Sequence, residues 1–309
     1  FAFATVLSSF GTGSLPQINS ISNSIYSSFG IDKMLTGGVL AILLGIVIIG
    51  GIKRIAKITE KLVPFMAFVY VIGAFSVIIY NFENIIPSFI SIFSQIFSGS
   101  SAVGGFLGAS FSYAINRGVN RGLYSNEAGQ GSAAIAHSTA KTKYSVREGA
   151  VAMLGPYIDT LIICTMTGLV IISTGAWKHT EYFVKITATS LNEANEAFEL
   201  GIFQGRELYN SSLLTSFAFK EGLSFLFSYG DKIVTVSVLL FALSTAIAWS
   251  FYGNRAAVYL FGEKAILPYL WVYVFFTFVG GIAELEAIWA FGDAALGIMT
   301  FPNLISIIL

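Results

Sequence analysis

Long apolar runs, each closed by charge, set the pattern of this chain. A helix crosses about 30 Å of hydrocarbon with roughly 20 residues at about 1.5 Å each. Runs of that size predict eight membrane segments: Phe1 to Ser28, Thr36 to Ile52, Leu62 to Tyr80, Val103 to Ala136, Gly149 to Thr174, Ile233 to Gly253, Ala265 to Ile282, and Ala287 to Leu309. The run Ile85 to Phe97 is too brief to span and is expected as an interfacial helix or an outer re-entrant piece. Two segments depart from the plain apolar helix. Gly11-Thr-Gly-Ser-Leu-Pro16 interrupts the first, and Gly104, Gly105, Gly108, Gly118 and Gly122 with Asn116, Arg117, Asn120 and Arg121 interrupt the fourth. An unpaired backbone group in hydrocarbon costs several kcal/mol, so a broken helix survives there only against protein or a water-lined cavity. The fourth segment is therefore expected to be discontinuous. Its half-helix ends would hold a carboxylate on free N–H groups and a cation on freed carbonyls.

Composition fixes the class. Of 309 residues, 55% are hydrophobic, 15% aromatic and 11% charged, with mean hydropathy +0.76. A soluble domain carries about 25% charge, so the pattern is that of an all-α polytopic membrane protein embedded in a lipid bilayer. Seventeen Lys plus Arg balance seventeen Asp plus Glu, which leaves no basic field for nucleic acid and excludes that partner. The single cysteine, Cys164, cannot close an internal disulfide, and two histidines do not furnish the common soft-ligand metal sites. No initiator Met, charged n-region or cleavage site precedes the first apolar run, so the chain reads as part of a longer one.

Charge also sets the expected orientation, because cytoplasmic loops collect Lys and Arg. Lys53, Arg54, Lys57 and Lys61 follow the second segment, Lys141, Lys143 and Arg147 the fourth, and Arg255 and Lys264 the sixth. These alternate loops belong on one side, which makes the Phe1 end cytoplasmic. The long connection from about 175 to 232 carries seven acidic residues against five Lys or Arg and falls on the outer side.

Several polar residues inside apolar segments need a reason. Gln17, Ser20 and Ser24 share one helix face. Ser20 and Ser24 suit glue between helices, while the Gln17 amide offers donor and acceptor to a zwitterionic ligand. Thr245 and Trp249 lie at i and i+4 beside Ser244. Hydroxyls near a broken helix suit a small hard cation such as Na⁺, and Trp249 can wall a small pocket. The competing readings are hydroxyls bonded back to the preceding helical turn and an aromatic-belt indole. Asp159, isolated at membrane depth, is a cation ligand, a proton relay, or a structural partner of Arg117 or Arg121. Glu127 and His137 flank a glycine-rich turn, where each caps a helix end or meets water. Enzyme signals are nearly absent: Gly11-Thr-Gly-Ser14 lacks the downstream Gly-Lys-Ser/Thr of a phosphate loop, and Ser132 or Ser138 with His137 lacks an orienting third group. The chain is read as not an enzyme.

The run Gly122-Leu-Tyr-Ser-Asn-Glu-Ala-Gly-Gln-Gly-Ser-Ala-Ala-Ile-Ala-His137 resembles the alanine or glycine:cation symporter family of the amino acid-polyamine-cation superfamily. Asp159-Thr160 with Cys164-Thr165, Leu240 to Gly253, Tyr259 to Gly262, and Ile298 to Leu304 carry the same resemblance. It covers most of the chain apart from about 178 to 210, and departs at Ala134, where the family usually has Pro. The resemblance implies a five-plus-five inverted-repeat core of the leucine-transporter type, of which residues 1–309 form one partial transmembrane domain lacking the first two helices and the last. Position by position, it implies substrate contacts at Gln17, Ala114, Ile115, Gly118, Thr245 and Trp249, and cation oxygens at Ser244 and Thr245. It implies a multi-pass protein of the cell membrane that moves alanine or glycine together with Na⁺ by alternating access, Na⁺ being a co-transported ion and no cofactor being required. The alternatives are a proton-coupled amino-acid carrier using Asp159, an intramembrane enzyme using Ser132 or Ser138, and a channel or sensor. Oligomeric state is left open.

Overall fold

The computed structural model describes residues 1–97, 115, 118–179, 202–203, 206–207 and 212–309. The described chain is helical apart from a two-residue antiparallel pair, Ile202–Phe203 with Arg206–Glu207. In order come α1 (Ala2–Ser8), a π-segment (Ser9–Ser14), α2 (Leu15–Phe29), α3 (Lys33–Ile48), α4 (Ile52–Tyr80) and α5 (Ile85–Phe97). Then follow α6 over 118–126, α7 (Ser132–His137), and α8 (Ser145–Pro156), which continues through a second π-segment (Tyr157–Cys164) into α9 (Thr165–Ser173). The last are α10 (Ser212–Gly222), α11 (Gly230–Phe261), α12 (Ile266–Ile282) and α13 (Leu285–Ile308).

Among the described residues, five helical stretches are long and apolar enough to cross a membrane: Ile52–Tyr80, Ser145–Ser173, Gly230–Phe261, Glu263–Ile282 and Ala287–Ile308. Helix α3 is a shorter apolar helix. On α4, Phe65, Phe68, Ile72, Phe75 and Ile79 form an exposed stripe at helical spacing. An apolar stripe of that length turned outward suits lipid rather than water.

Two expectations are corrected. Gly11 to Pro16 does not interrupt the first segment: the backbone stays helical from 2 to 29, and the glycines fall in a π-turn where the Leu15 N–H reaches the Phe10 carbonyl five residues back. A π-turn absorbs one extra residue without leaving backbone groups unpaired, which is how a Gly-Thr-Gly stretch survives in a buried helix. The basic stretch Lys53 to Lys61 is not a loop either. It forms the first turns of α4, since Lys, Arg and Glu are good helix formers and hydropathy marks a change of solvent rather than a helix end. The expected break near residue 115 falls almost wholly outside the described residues.

The described chain divides into two compact units. The first comprises Phe1–Phe68, Gly122–Thr160 and Thr235–Leu309. At its centre, Phe10 stacks on Phe276 with ring centroids 4.7 Å apart and also meets Tyr269 and Tyr273. The Asn19 amide donates to the Gly280 and Ala283 carbonyls at 3.1 and 2.8 Å, tying α2 to the end of α12. Gly37 and Gly281 let α3 and α12 touch backbone to backbone: an ideal Cβ on Gly281 would lie 2.6 Å from the Gly37 Cα.

The second unit comprises Val69–Arg121 and Leu161–Val234. Here the Tyr70 ring packs on Phe219 at 5.6 Å while its hydroxyl shares a hydrogen bond with Thr167. Tyr80 stacks on Phe225, and the Asn84 amide donates to the Ser173 carbonyl at 2.9 Å.

Candidate functional site

The first π-segment is the most enclosed stretch of the first unit, with every residue from Ser9 to Ser14 buried. Hydroxyls seat it and the residue before it against two other helices. Ser8 Oγ donates to the Ala295 carbonyl at 2.7 Å and Thr12 Oγ1 to the Gly292 carbonyl at 3.4 Å, both on α13. Tyr269 Oη donates to Ser9 Oγ at 2.9 Å, and Ser14 Oγ pairs with Thr277 Oγ1 at 3.1 Å, both reaching from α12. Because each polar group has a partner, the wide turn holds its shape in apolar surroundings.

Two residues expected to touch substrate converge on this segment. Gln17, half-buried, turns its amide back so that Nε2 donates to the Thr12 carbonyl at 3.3 Å. From α11, Trp249 closes on Gly13: an ideal Cβ there would lie 2.1 Å from the Trp249 Cβ and 2.5 Å from Cγ. The indole is 1% exposed and meets the Tyr252 ring edge-on at 5.4 Å. This buried position sets Trp249 apart from an interfacial belt residue.

One turn before Trp249 lie the two candidate cation ligands. Ser244 Oγ and Thr245 Oγ1 both donate to the Phe241 carbonyl, at 2.8 and 3.0 Å. The back-bonding reading is therefore present, yet it does not compete with cation binding. A hydroxyl whose proton is committed to a helix carbonyl keeps its lone pairs for a positive ion. Ser244 is buried and also lies 3.8 Å from the Met66 sulfur on α4, whereas Thr245 is half-buried.

Of the remaining expected contacts, Ile115 and Gly118 are exposed residues of the second unit, and Ala114 lies outside the described residues. Asp159 sits in the second π-segment, where its Oδ2 accepts from the Ser125 hydroxyl and, at 3.2 Å, from Thr160; Asn126 Nδ2 donates to the same Thr160 hydroxyl at 3.1 Å. Arg117, one of its expected partners, lies outside the described residues. His137 Nδ1 meets Glu148 Oε1 at 2.6 Å, joining α7 to α8. Ser132 donates to Glu127 and Ser138 to the Ile135 carbonyl, so each serine hydroxyl is engaged away from His137.

The sequence did not point to Glu127 as the partner of Ser132. Its carboxylate takes the Ser132 hydroxyl at 2.6 Å. The one available signal was an acidic residue set among glycines at the close of an apolar run.

These features can be set beside known proteins. A model of the sodium:alanine symporter family matches residues 1–309. The chain belongs to that family. It is 38% identical over 309 residues to the sodium/alanine symporter AgcS of Methanococcus maripaludis, covering all of this chain and 61% of that protein. It is 36% identical over 306 residues to an uncharacterized transporter of Haemophilus influenzae, covering 99% of this chain and 61% of the relative. With the sodium/proton-dependent alanine carrier protein of Bacillus sp. strain PS3 it shares 33% identity over 297 residues, 95% of this chain and 62% of that carrier. The chain thus spans about three-fifths of the length of these curated relatives. The family is one of transporters, which removes the enzyme alternative.

Proposed function

We propose that the protein containing this chain symports small neutral amino acids, alanine or glycine, with Na⁺ by alternating access across the cell membrane. The reading also takes residues 1–309 as part of one multi-pass domain of the inverted-repeat, leucine-transporter type, with the Phe1 end cytoplasmic. The observation that carries it is the meeting of Gln17 and Trp249 on a buried π-segment, in a chain of the sodium:alanine symporter family. The substrate contacts are assigned to Gln17, Ala114, Ile115, Gly118, Thr245 and Trp249. Ser244 and Thr245 supply cation oxygens.

In this mechanism Na⁺ orders the hydroxyl pair on α11, and the amino acid then binds a partly prepared state. Coupling of two ligands is reciprocal, so alanine tightens Na⁺ binding by the factor by which Na⁺ tightens alanine. The Trp249 indole limits the pocket, and a larger side chain must displace it. The deciding experiment is equilibrium binding of radiolabelled alanine to the purified full-length protein, in Na⁺ and in an impermeant organic cation at fixed pH. Na⁺-dependent binding competed by glycine is expected. Equal binding, or none, in both salts from intact monodisperse protein overturns the reading.

A second reading couples transport to protons through Asp159, and its hydrogen bonds to Ser125 and Thr160 inside a π-segment favour it. Asp159→Asn would then abolish coupling and spare exchange. An unchanged pH dependence in that variant excludes it.

A further inference from the structure

Helix α12 sends two tyrosines, one turn apart, into the core of the first unit. Tyr269 gives its hydroxyl proton to Ser9. Tyr273, 0% exposed, bonds α11 instead: its Oη donates to the Ala246 carbonyl at 2.7 Å. Phe10 and Tyr269 flank the ring, with centroids 6.0 and 5.9 Å away. Its backbone is held as well. Thr277 Oγ1 donates to the Tyr273 carbonyl at 2.9 Å and pairs with Ser14 Oγ at 3.1 Å. Tyr273 thus joins the end of the π-segment to α11, through its carbonyl on one side and its hydroxyl on the other.

Ala246 lies between Thr245 and Trp249, inside a continuous helix that already offers its carbonyl an N–H from the next turn. The helix therefore has no need of this donor. A buried phenol does need an acceptor, and it finds one on the turn that carries both expected substrate contacts of α11. Trp249 meets Gly13 through its Cβ and Cγ, atoms whose place is set mainly by the α11 backbone. Whatever fixes that backbone fixes the wall. Apolar faces in contact tolerate small slides, whereas a hydrogen bond weakens steeply when bent or stretched. We propose that Tyr273 is a positioning residue for substrate selection: its hydroxyl anchors the 245–249 turn and so sets how closely Trp249 stands to Gly13 and how large a side chain the pocket admits. This rests on the reading of Trp249 as a substrate wall and adds to it a residue that acts through α11.

The test reads preference rather than amount. Unlabelled alanine and leucine compete with radiolabelled alanine on purified full-length protein in Na⁺, and the ratio of their affinities is taken. That ratio does not depend on the fraction of protein that is folded, so a loss of stability alone leaves it unmoved. Tyr273→Phe keeps the ring and its packing on Phe10 and removes only the hydroxyl. It should narrow the preference for alanine over leucine about fivefold, the worth of one neutral hydrogen bond. Tyr70→Phe, which removes a buried hydroxyl bonded to Thr167 in the second unit, should leave the ratio unchanged. If Tyr273→Phe does not fold, Thr277→Val, which cuts the link from Ser14 at nearly constant volume, should narrow the ratio by less. A ratio that stays put in Tyr273→Phe or, failing that, in Thr277→Val, while Trp249→Ala shifts it, overturns the proposal and leaves the wall standing. An equal shift in Tyr70→Phe also overturns it. If Trp249→Ala leaves the ratio unchanged, the wall reading fails and the proposal falls with it.

Discussion

Trp249 occupies the space that a side chain at Gly13 would need, its Cβ lying 2.1 Å from an ideal Cβ there. The contact involves the root of the indole side chain, which cannot swing away as a flexible tip could. Gly13→Ala is therefore expected to force α11 away from the π-segment. Overpacking of this kind costs about 1–3 kcal/mol, to be seen as a lower temperature at which the purified protein stays monodisperse, together with loss of alanine binding. Gly149, on helix α8 with nothing within 4 Å, offers a control position for volume.

Trimming the indole tests the pocket. Trp249→Ala should admit larger neutral amino acids, with the gain graded by size, because one methylene in an apolar pocket is worth about 1–3 kcal/mol. Competition against radiolabelled alanine by a series from glycine to leucine measures this. An unchanged order of competitors sinks the assignment.

The hydroxyls of Ser244 and Thr245 share the Phe241 carbonyl, so neither is needed to satisfy the helix. Ser244→Ala should fold normally and raise the Na⁺ concentration required for half-maximal alanine binding, with little effect at saturating Na⁺, whereas Thr245→Val should do the same and also weaken binding at saturating Na⁺ through its lost substrate contact. Titrating Na⁺ at fixed ionic strength separates this from a general loss of binding. Weakening that persists at every Na⁺ concentration points to substrate contact instead.

At Gly131 both the left-handed backbone and the neighbouring Asn303 and Phe1 exclude a side chain. Gly131→Ala should destabilise by about 1–3 kcal/mol from the backbone conformation alone. The comparison variant is Gly118→Ala, where nothing lies within 4 Å. Apparent melting in detergent distinguishes them, and equal behaviour contradicts the tight seat of Gly131.

Hydropathy placed most of the helices, since α3, α8 to α9, α11, α12 and α13 each overlap an expected segment and α5 falls on Ile85–Phe97 as read. It misplaced the start of α4 because it records partition between solvents, and Lys53 to Lys61 prolong the helix outside the apolar part. The π-segment was legible only as a glycine-rich irregularity. Whether such a stretch breaks or widens a helix depends on partners such as Thr277 and Gly292, far away in the sequence. Trp249 was singled out from its spacing to Thr245, but its contact with Gly13 is tertiary and leaves no periodic trace. Glu127 illustrates the limit most clearly, since its left-handed backbone and its bond from Ser132 follow from the local turn rather than from any apolar pattern.

The Gly37 and Gly281 contact has a consequence for how this unit could change shape. Two helices held apart by side chains can slide a little by rotamer exchange, but two whose backbones touch have no such lubricant. Relative sliding of α3 and α12 would require lifting one axis off the other. The pair therefore behaves as a splint, and Asn19, bonded to the Gly280 and Ala283 carbonyls, lashes α2 to the same bundle. A rearrangement within this unit would then turn on the segments this splint does not reach, the course of α11 foremost among them.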